Sequence, residues 1–363
     1  MIIQGSLQQS FDEIEIKIFK DLKEGYVGEL SLSESKVSCA LPPLPSDDWL
    51  GLASTDVRSY GLELFSWLFR DELLESFRRV RRSSEGLARS LGPASGLRLR
   101  LWLDPKAEEL RRLWWEAIRD PERDEPLALR TAFSRFLRVR LARGRPILER
   151  PLRMLCVASN PTGLERFQLT RMDMSLEISV IGEALQSLKE FLEFKPMPSS
   201  ATISEILNEV KRGYHIIHIL AHATKFDGQY CLILPGENGD AVAVPFDQIT
   251  KAFNSTDVSA PHFVFLATPM TATESVGETL VSFAPEMVEA GAQAVLAIQS
   301  AMENDTLRYF TESFYNRLIR TGTVDTAVSA ARNRIYDLGG WQWTYPVLYM
   351  RTPDAQLFHP LPD

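Results

Sequence analysis

The feature that most constrains this chain is a set of short apolar runs in its C-terminal part: "RMLCVASNP" from Arg153, "YHIIHILAH" from Tyr214, "HFVFLAT" from His262 and "AQAVLAIQ" from Ala292. Each is long enough for one strand and none alternates cleanly between apolar and polar residues, so each reads as a strand covered on both faces. Between and after them lie amphipathic stretches with helical spacing: "SLEISVIGEALQSLKEFLE", "PFDQITKAF", "ETLVSFAPEMVEAG", "DTLRYFTESFYNRLIRTG" and "TVDTAVSAARNRIY". "CLILPGENGD" adds a short strand and a Gly/Asn turn. Strands and helices in alternation imply a mostly parallel sheet with helices on both sides. In such sheets chemistry gathers at the carboxyl ends of the strands. Three places qualify: Asn160-Pro161, His222, and Thr268-Pro269.

The N-terminal part has a different texture. "FDEIEIKIFKD" and "GLRLRLWLD" alternate with period two, and "YGLELFSWLFRDELLESFRRVRRSSE" has apolar residues at helical spacing. Its stripe of Tyr60, Leu64, Trp67, Leu68, Leu73 and Phe77 reads as helix core rather than a cofactor box. This gives a mixed α/β block. The prolines and polar residues of "RGRPILERPLR" place the join near Arg145 to Leu152, dividing the chain into 1–148 and 149–363. Arginines crowd the region from about residue 60 to 150. They read as a solvated face, or alternatively as a docking surface for an acidic partner centred on Arg78, Arg79, Arg81 and Arg82.

Carboxylates outnumber Lys and Arg by 48 to 40, a net charge of −8, which argues against a general nucleic-acid binder because that role needs a basic footprint. Three cysteines, Cys39, Cys156 and Cys231, are too few and too scattered for a disulfide framework, which favours a reducing compartment. The first residues show no signal-peptide pattern, and no apolar run is long enough to span a membrane. A cytoplasmic location is expected. Five histidines without an HExxH or a Cys/His cluster give no reason to expect a metal, and no cofactor is expected either.

The histidine-ended strand "HIIHILAHA", the hairpin "GQYCLILPGENGDAVAV", then "PHFVFLATPMTA", "EAGAQAVLAIQSAMENDTLRYFTESFYNRL" and a closing "WTYPVLYMR" follow one another in an order that resembles the CHAT domain family. These are caspase-like cysteine proteases related in structure to caspases and separase. The resemblance covers about residues 150 to 352. It extends upstream into "GLRLRLWLDPKAEELRRLWWEAIRDPERDEPLALRT", which is similar to the strand and helix that lead into such domains. It implies a caspase-like α/β/α sandwich attached to the N-terminal α/β block.

The family's strand-end Gly-His-Gly supplies a catalytic histidine, and an Ala-Cys at the end of a later strand supplies the nucleophile. The matching histidine is His222, with Ala221 and Ala223 where glycines are expected; the backbone N–H of the second glycine is thought to help form the oxyanion hole, and alanine keeps that N–H with fewer allowed backbone angles. "VFLATPMTA" places Pro269 at the nucleophile. Proline has neither a thiol to form an acyl-enzyme nor an N–H to stabilise an oxyanion. The resemblance therefore implies a pseudoprotease that binds a protein partner, either an active caspase-like protease or a component of a bacterial defence or cell-death pathway. The alternative is an active peptidase in which His222 serves an atypical nucleophile, Thr268 or Cys231. Cys156, inside its strand, reads as a small core residue.

Overall fold

A computed structural model describes residues 11–21, 25–32, 35–45, 48–91, 96–171, 174–253, 260–267, 274–300 and 302–362. The chain separates into two compact units, residues 1–136 and 137–363. That division lies ahead of the proline-rich join, whose residues belong to the second unit.

The first unit begins with three strands, β1 (Phe11–Lys20), β2 (Tyr26–Ser31) and β3 (Lys36–Leu41), and three helices, α1 (Asp48–Thr55), α2 (Val57–Leu68) and α3 (Asp71–Leu91). Then come β4 (Gly96–Leu103), the one-turn helix α4 (Glu108–Arg111), the two-residue strands β5 (Arg119–Asp120) and β6 (Glu125–Pro126), the one-turn helix α5 (Leu127–Arg130), and β7 (Ala132–Phe136). The sheet order is β3-β2-β1-β4-β7. β1, β4 and β7 are parallel and the β1–β2–β3 pairs antiparallel. The expected stripe is core: Tyr60, Leu64, Leu68, Leu73 and Phe77 are almost wholly buried.

The single helix expected from Tyr60 to Glu85 is instead two, because the backbone turns extended at Phe69 and reaches φ 43° at Asp71. The break lets Phe69 fold back, with its ring 4.6 Å from that of Phe65 and 4.4 Å from that of Phe77. One ion pair anchors this unit: Arg135 on β7 donates to both oxygens of Glu116, at 3.1 and 2.7 Å, and to the carbonyls of Arg111 and Leu113. Both side chains are essentially without solvent exposure.

The second unit runs β8 (Leu152–Ala158), α6 (Met174–Leu185), β9 (Leu192–Pro196), α7 (Ile203–Val210) and β10 (Ile216–Leu220). The hairpin strands β11 (Ala223–Phe226), β12 (Gln229–Pro235) and β13 (Ala241–Pro245) come next, followed by α8 (Phe246–Phe253), β14 (Phe263–Ala267) and α9 (Glu274–Glu289). β15 (Ala294–Ile298), α10 (Asn304–Thr321), α11 (Val324–Tyr336) and β16 (Pro346–Met350) complete it. The main sheet has the order β16-β15-β14-β10-β8-β9, parallel except for the antiparallel β15–β16 pair.

Every residue of β10, β14, β15 and β16 is buried, as strands covered on both faces require. Leu155, Val157, Ile217, Ile219, Val264 and Leu266 share one core with residues of α7, α8 and α9. On the opposite face Phe263 and Phe265 pack on Phe310, Phe314 and Tyr315 of α10. The result is the expected α/β/α sandwich. The stretch read as one helix to Glu193 stops at Leu185, and Leu192–Pro196 joins β8 as a strand instead. At Gly322 a left-handed turn (φ 72°) would bring any Cβ to 1.8 Å from the Phe358 carbonyl oxygen, so only glycine fits.

Removing one partner of a buried ion pair strands the other charge in a medium that cannot solvate it. Glu116→Ala is expected to cost about 3–5 kcal/mol in urea-induced unfolding. A loss below about 1 kcal/mol, the range of an exposed pair, would show that the pair is solvated rather than buried.

Candidate active site

The parallel ladder sets the site. Leu220 pairs in register with Ala158 on β8 and with Ala267 on β14, so three strands end at one level. His222 stands two residues past Leu220, and its neighbour Ala221 donates to the Ala267 carbonyl at 3.3 Å. Ser159, just past β8, ties the corner together: its N–H donates to the Leu220 carbonyl at 2.9 Å and its hydroxyl to the Ile233 carbonyl at 3.0 Å. Ile233 in turn donates to the His222 carbonyl at 2.8 Å. Thr268 and Pro269 lie outside the described residues.

His222 is 1% exposed. Its Nε2 is 2.9 Å from the backbone carbonyl of Thr170. A carbonyl oxygen only accepts, so Nε2 carries the proton and donates, leaving the lone pair on Nδ1. That nitrogen is buried and has no hydrogen-bond partner among the described residues. Burial depresses the imidazole pKa and the Thr170 carbonyl opposes the shift. The ring is therefore neutral near pH 7, with a basic nitrogen free to take a proton.

Thr170 was not legible as a contributor, because a backbone carbonyl leaves no mark in residue type. Its position comes from a small satellite core. Leu164 and Leu169 pack with Ile233 and Ala241, with Phe167 and Ala243 alongside. A 3-10 turn over Leu164–Phe167, closed by Leu169 N–H to the Leu164 carbonyl at 3.1 Å, leads straight into Thr170.

Cys231 is on β12, in register with Thr224 of β11, while Ala223 pairs with Leu232. Because side chains alternate along a strand, Cys231 shares a face with Ile233, which stands opposite His222. Diagonal neighbours of this kind are about 7–8 Å apart at Cα. The thiol is buried, with its pKa raised by that burial, and its sulfur contacts the Gln229 carbonyl at 3.7 Å rather than the imidazole. Cys156 is fully buried in mid-strand with its thiol pushed up to about 12, and Cys39 lies on β3. None of the three is at the carboxyl end of β14.

His218 is a different kind of histidine. It pairs with Cys156 across the ladder, lies 4.5 Å from the Phe265 ring, and has Nδ1 3.1 Å from the Tyr315 hydroxyl. Burial lowers its pKa to about 3, and its Nε2 has no partner among the described residues.

Two of the arginines of α3 are paired within their own unit. Arg78 pairs with Glu75 at 2.9 Å and Glu122 at 2.6 Å, and Arg81 with Asp120 at 2.6 Å and Glu125 at 3.2 Å. They lace α3 to the β5–β6 hairpin. A cavity of about 640 Å³ opens beside them, and three of its guanidiniums, those of Arg78, Arg81 and Arg123, are already paired with carboxylates. Among the described residues no helix is long and apolar enough to cross a membrane, and no cluster of three His, Cys, Asp or Glu side chains is placed to hold a metal.

The mostly parallel, helix-covered sheet has the architecture of a caspase-like domain. The pattern of the CHAT domain matches residues 59–359, and the chain belongs to that family. No curated protein matches it. Among solved structures it is similar to the Saccharomyces cerevisiae separase–securin complex, with a TM-score of 0.50 and 10% identity over 94% of this chain and 30% of that one. It is also similar to the Arg-specific cysteine proteinase gingipain R (TM-score 0.39, 12% identity, 72% of this chain and 55% of that one). The complex of Porphyromonas gingivalis RgpB pro- and mature domains gives 0.39 and 8% over 72% and 56%. The chain thus spans about half of the gingipain chains and under a third of separase. The likeness to separase carries the fold.

The buried imidazoles have a consequence for acid stability. Above about pH 6.5 His218 is neutral folded or unfolded and contributes nothing to the pH dependence. Below that, the unfolded chain takes up a proton that the folded chain refuses until about pH 3, so stability falls as pH falls. Between pH 7 and 5 this histidine alone is expected to remove roughly 2 kcal/mol. His218→Phe should flatten the slope of unfolding free energy against pH; an unchanged slope would show that the ring is protonated in the fold.

Proposed function

We propose that this CHAT protein binds a peptide segment of a protein partner without cutting it, acting as a pseudoprotease in a regulatory or scaffolding role. One observation carries the reading: the sequence has no cysteine after Cys231, and Pro269 follows the strand that should deliver the nucleophile. A caspase-like mechanism needs a thiolate beside the histidine to attack the carbonyl and hold the acyl group. The remaining cysteines lie on other strands. The His222 imidazole, oriented by the Thr170 carbonyl at a strand end, supports retention of the family's base position. The partner is an active caspase-like protease or another member of a bacterial defence or cell-death pathway, as the family resemblance implies.

A second reading, an active peptidase with an atypical nucleophile, is favoured by the face that Cys231 shares with His222. It requires the thiol to leave the Gln229 carbonyl and reach Nδ1, within about 3.2 Å or slightly more.

Proteins encoded beside this one are the natural substrates to test, using wild type, His222→Ala, Cys231→Ala and Pro269→Cys. Cleavage by the Pro269→Cys chain alone, lost again in Pro269→Cys/His222→Ala, is the expected result. Cleavage by wild type that disappears in both His222→Ala and Cys231→Ala would replace the first reading with the second.

A further inference from the structure

The cavity beside α3 carries one charge that the fold leaves unmatched. Its volume of about 640 Å³ is that of a small-molecule site, and every residue lining it lies between Phe65 and Arg123 of the first unit. Four guanidiniums and three carboxylates line it. Arg78, Arg81 and Arg123 are each held by a carboxylate, Arg123 by Glu85. Arg82 is exposed and makes no ion pair among the described residues; its Nε donates to the Arg78 carbonyl at 3.3 Å, one turn back along α3. That bond leaves the two terminal nitrogens of the guanidinium for another acceptor.

The apolar part of the lining is fixed before any ligand arrives. The rings of Phe65, Phe69 and Phe77 pack on one another: Phe69 is 4.6 Å from Phe65 and 4.4 Å from Phe77, and Phe65 is 5.6 Å from Phe77. Half-buried Leu74 extends the same floor. The rings meet because the chain leaves helical geometry at Phe69 and re-enters it through Asp71 at φ 43°, a conformation that non-glycine residues seldom adopt. Strain of this kind persists where the surrounding structure over-determines it, and it clusters at functional sites. A second wall is the turn between β5 and β6. It is held to α3 by Arg78–Glu122 and Arg81–Asp120, each at 2.6 Å, and both side chains of the latter pair are under a tenth exposed.

We infer that this cavity binds a small monocarboxylate with a flat apolar body, its carboxylate held by Arg82 and its body packed against the phenylalanine floor. Charge balance selects the anion. With the other three guanidiniums paired, the lining offers one unmatched positive charge, which one carboxylate neutralises. A phosphate dianion would bring a second negative charge up to Glu75, Asp120 and Glu122. The fork of terminal N–H groups on a guanidinium matches the two oxygens of a carboxylate. The rings select the body, because flat apolar groups gain most from offset or edge contact with aromatic ones. A neutral molecule of the same shape gains nothing from Arg82, so preference for the acid rests on that residue. The cavity is built from the first unit alone, so its ligand is separate from the chemistry at His222.

Titration calorimetry on the full chain tests this with three probes of one shape: 4-biphenylacetate, its uncharged amide 4-biphenylacetamide, and 4-biphenylyl phosphate. The acid should bind about tenfold or more tightly than the amide, and more tightly than the phosphate. Arg82→Gln should erase the preference for acid over amide, with the melting temperature unchanged because this side chain is exposed. Ser66→Trp puts a bulky ring into the cavity from an exposed position of α2 and should weaken acid and amide together. No measurable binding of the acid to wild type, an acid preference that survives Arg82→Gln, or acid affinity untouched by Ser66→Trp overturns the proposal. So does phosphate binding as tight as that of the acid or tighter, which would assign the cavity to phosphorylated ligands.

Discussion

The site depends on the common ending of three parallel strands. Ala158, Leu220 and Ala267 stand at one level because parallel pairing advances all three chains in the same direction and in register. Whatever leaves those ends is gathered into one corner, and among the described residues that is Ser159 and His222. The helices on both faces exclude water from the ladder, so the corner is the place where the sheet's backbone order gives way to side-chain chemistry. Ser159 shows how closely that corner is held: one residue bonds the end of β10 with its amide and the β12 backbone with its hydroxyl.

The two histidines of this strand show how much environment decides. His218 and His222 are four residues apart and both are 1% exposed. His218 sits against Phe265 and Tyr315, where an imidazolium has nothing to stabilise it, and its pKa falls accordingly. His222 meets a carbonyl that fixes its tautomer and partly offsets the desolvation. Only the second arrangement leaves an oriented lone pair at a strand end. Burial alone makes a packed residue, whereas burial with one fixed hydrogen bond makes a candidate base.

Much of this was legible in the sequence. The fully apolar runs became β8, β10, β14 and β15, because strands buried on both faces must be apolar throughout. His222 was legible as the last residue of such a run. β2 and β3 were not, since "YVGELS" and "KVSCAL" mix glycine, serine and charge and are only partly buried. The break at Phe69 was hidden because the aromatic that ends α2 has the same apolar character as those that continue it. The Thr170 carbonyl was beyond reach for a different reason: backbone groups act without regard to residue type. The face shared by Cys231 and His222 follows from strand register, which sequence spacing between hairpin strands does not fix.

Arginine content illustrates the same limit. The cluster in α3 and the strap after β7 look alike in the sequence, yet Arg78 and Arg81 of the first are threaded through Glu75, Asp120, Glu122 and Glu125 while Arg140, Arg143 and Arg145 of the second face solvent. Charge density therefore says little until partners are counted. An arginine held by two carboxylates of its own unit has no capacity left for a ligand, and its removal is felt in stability. Arg140, Arg143 and Arg145 make no such pair among the described residues and are exposed, so folding neither uses nor neutralises their charge.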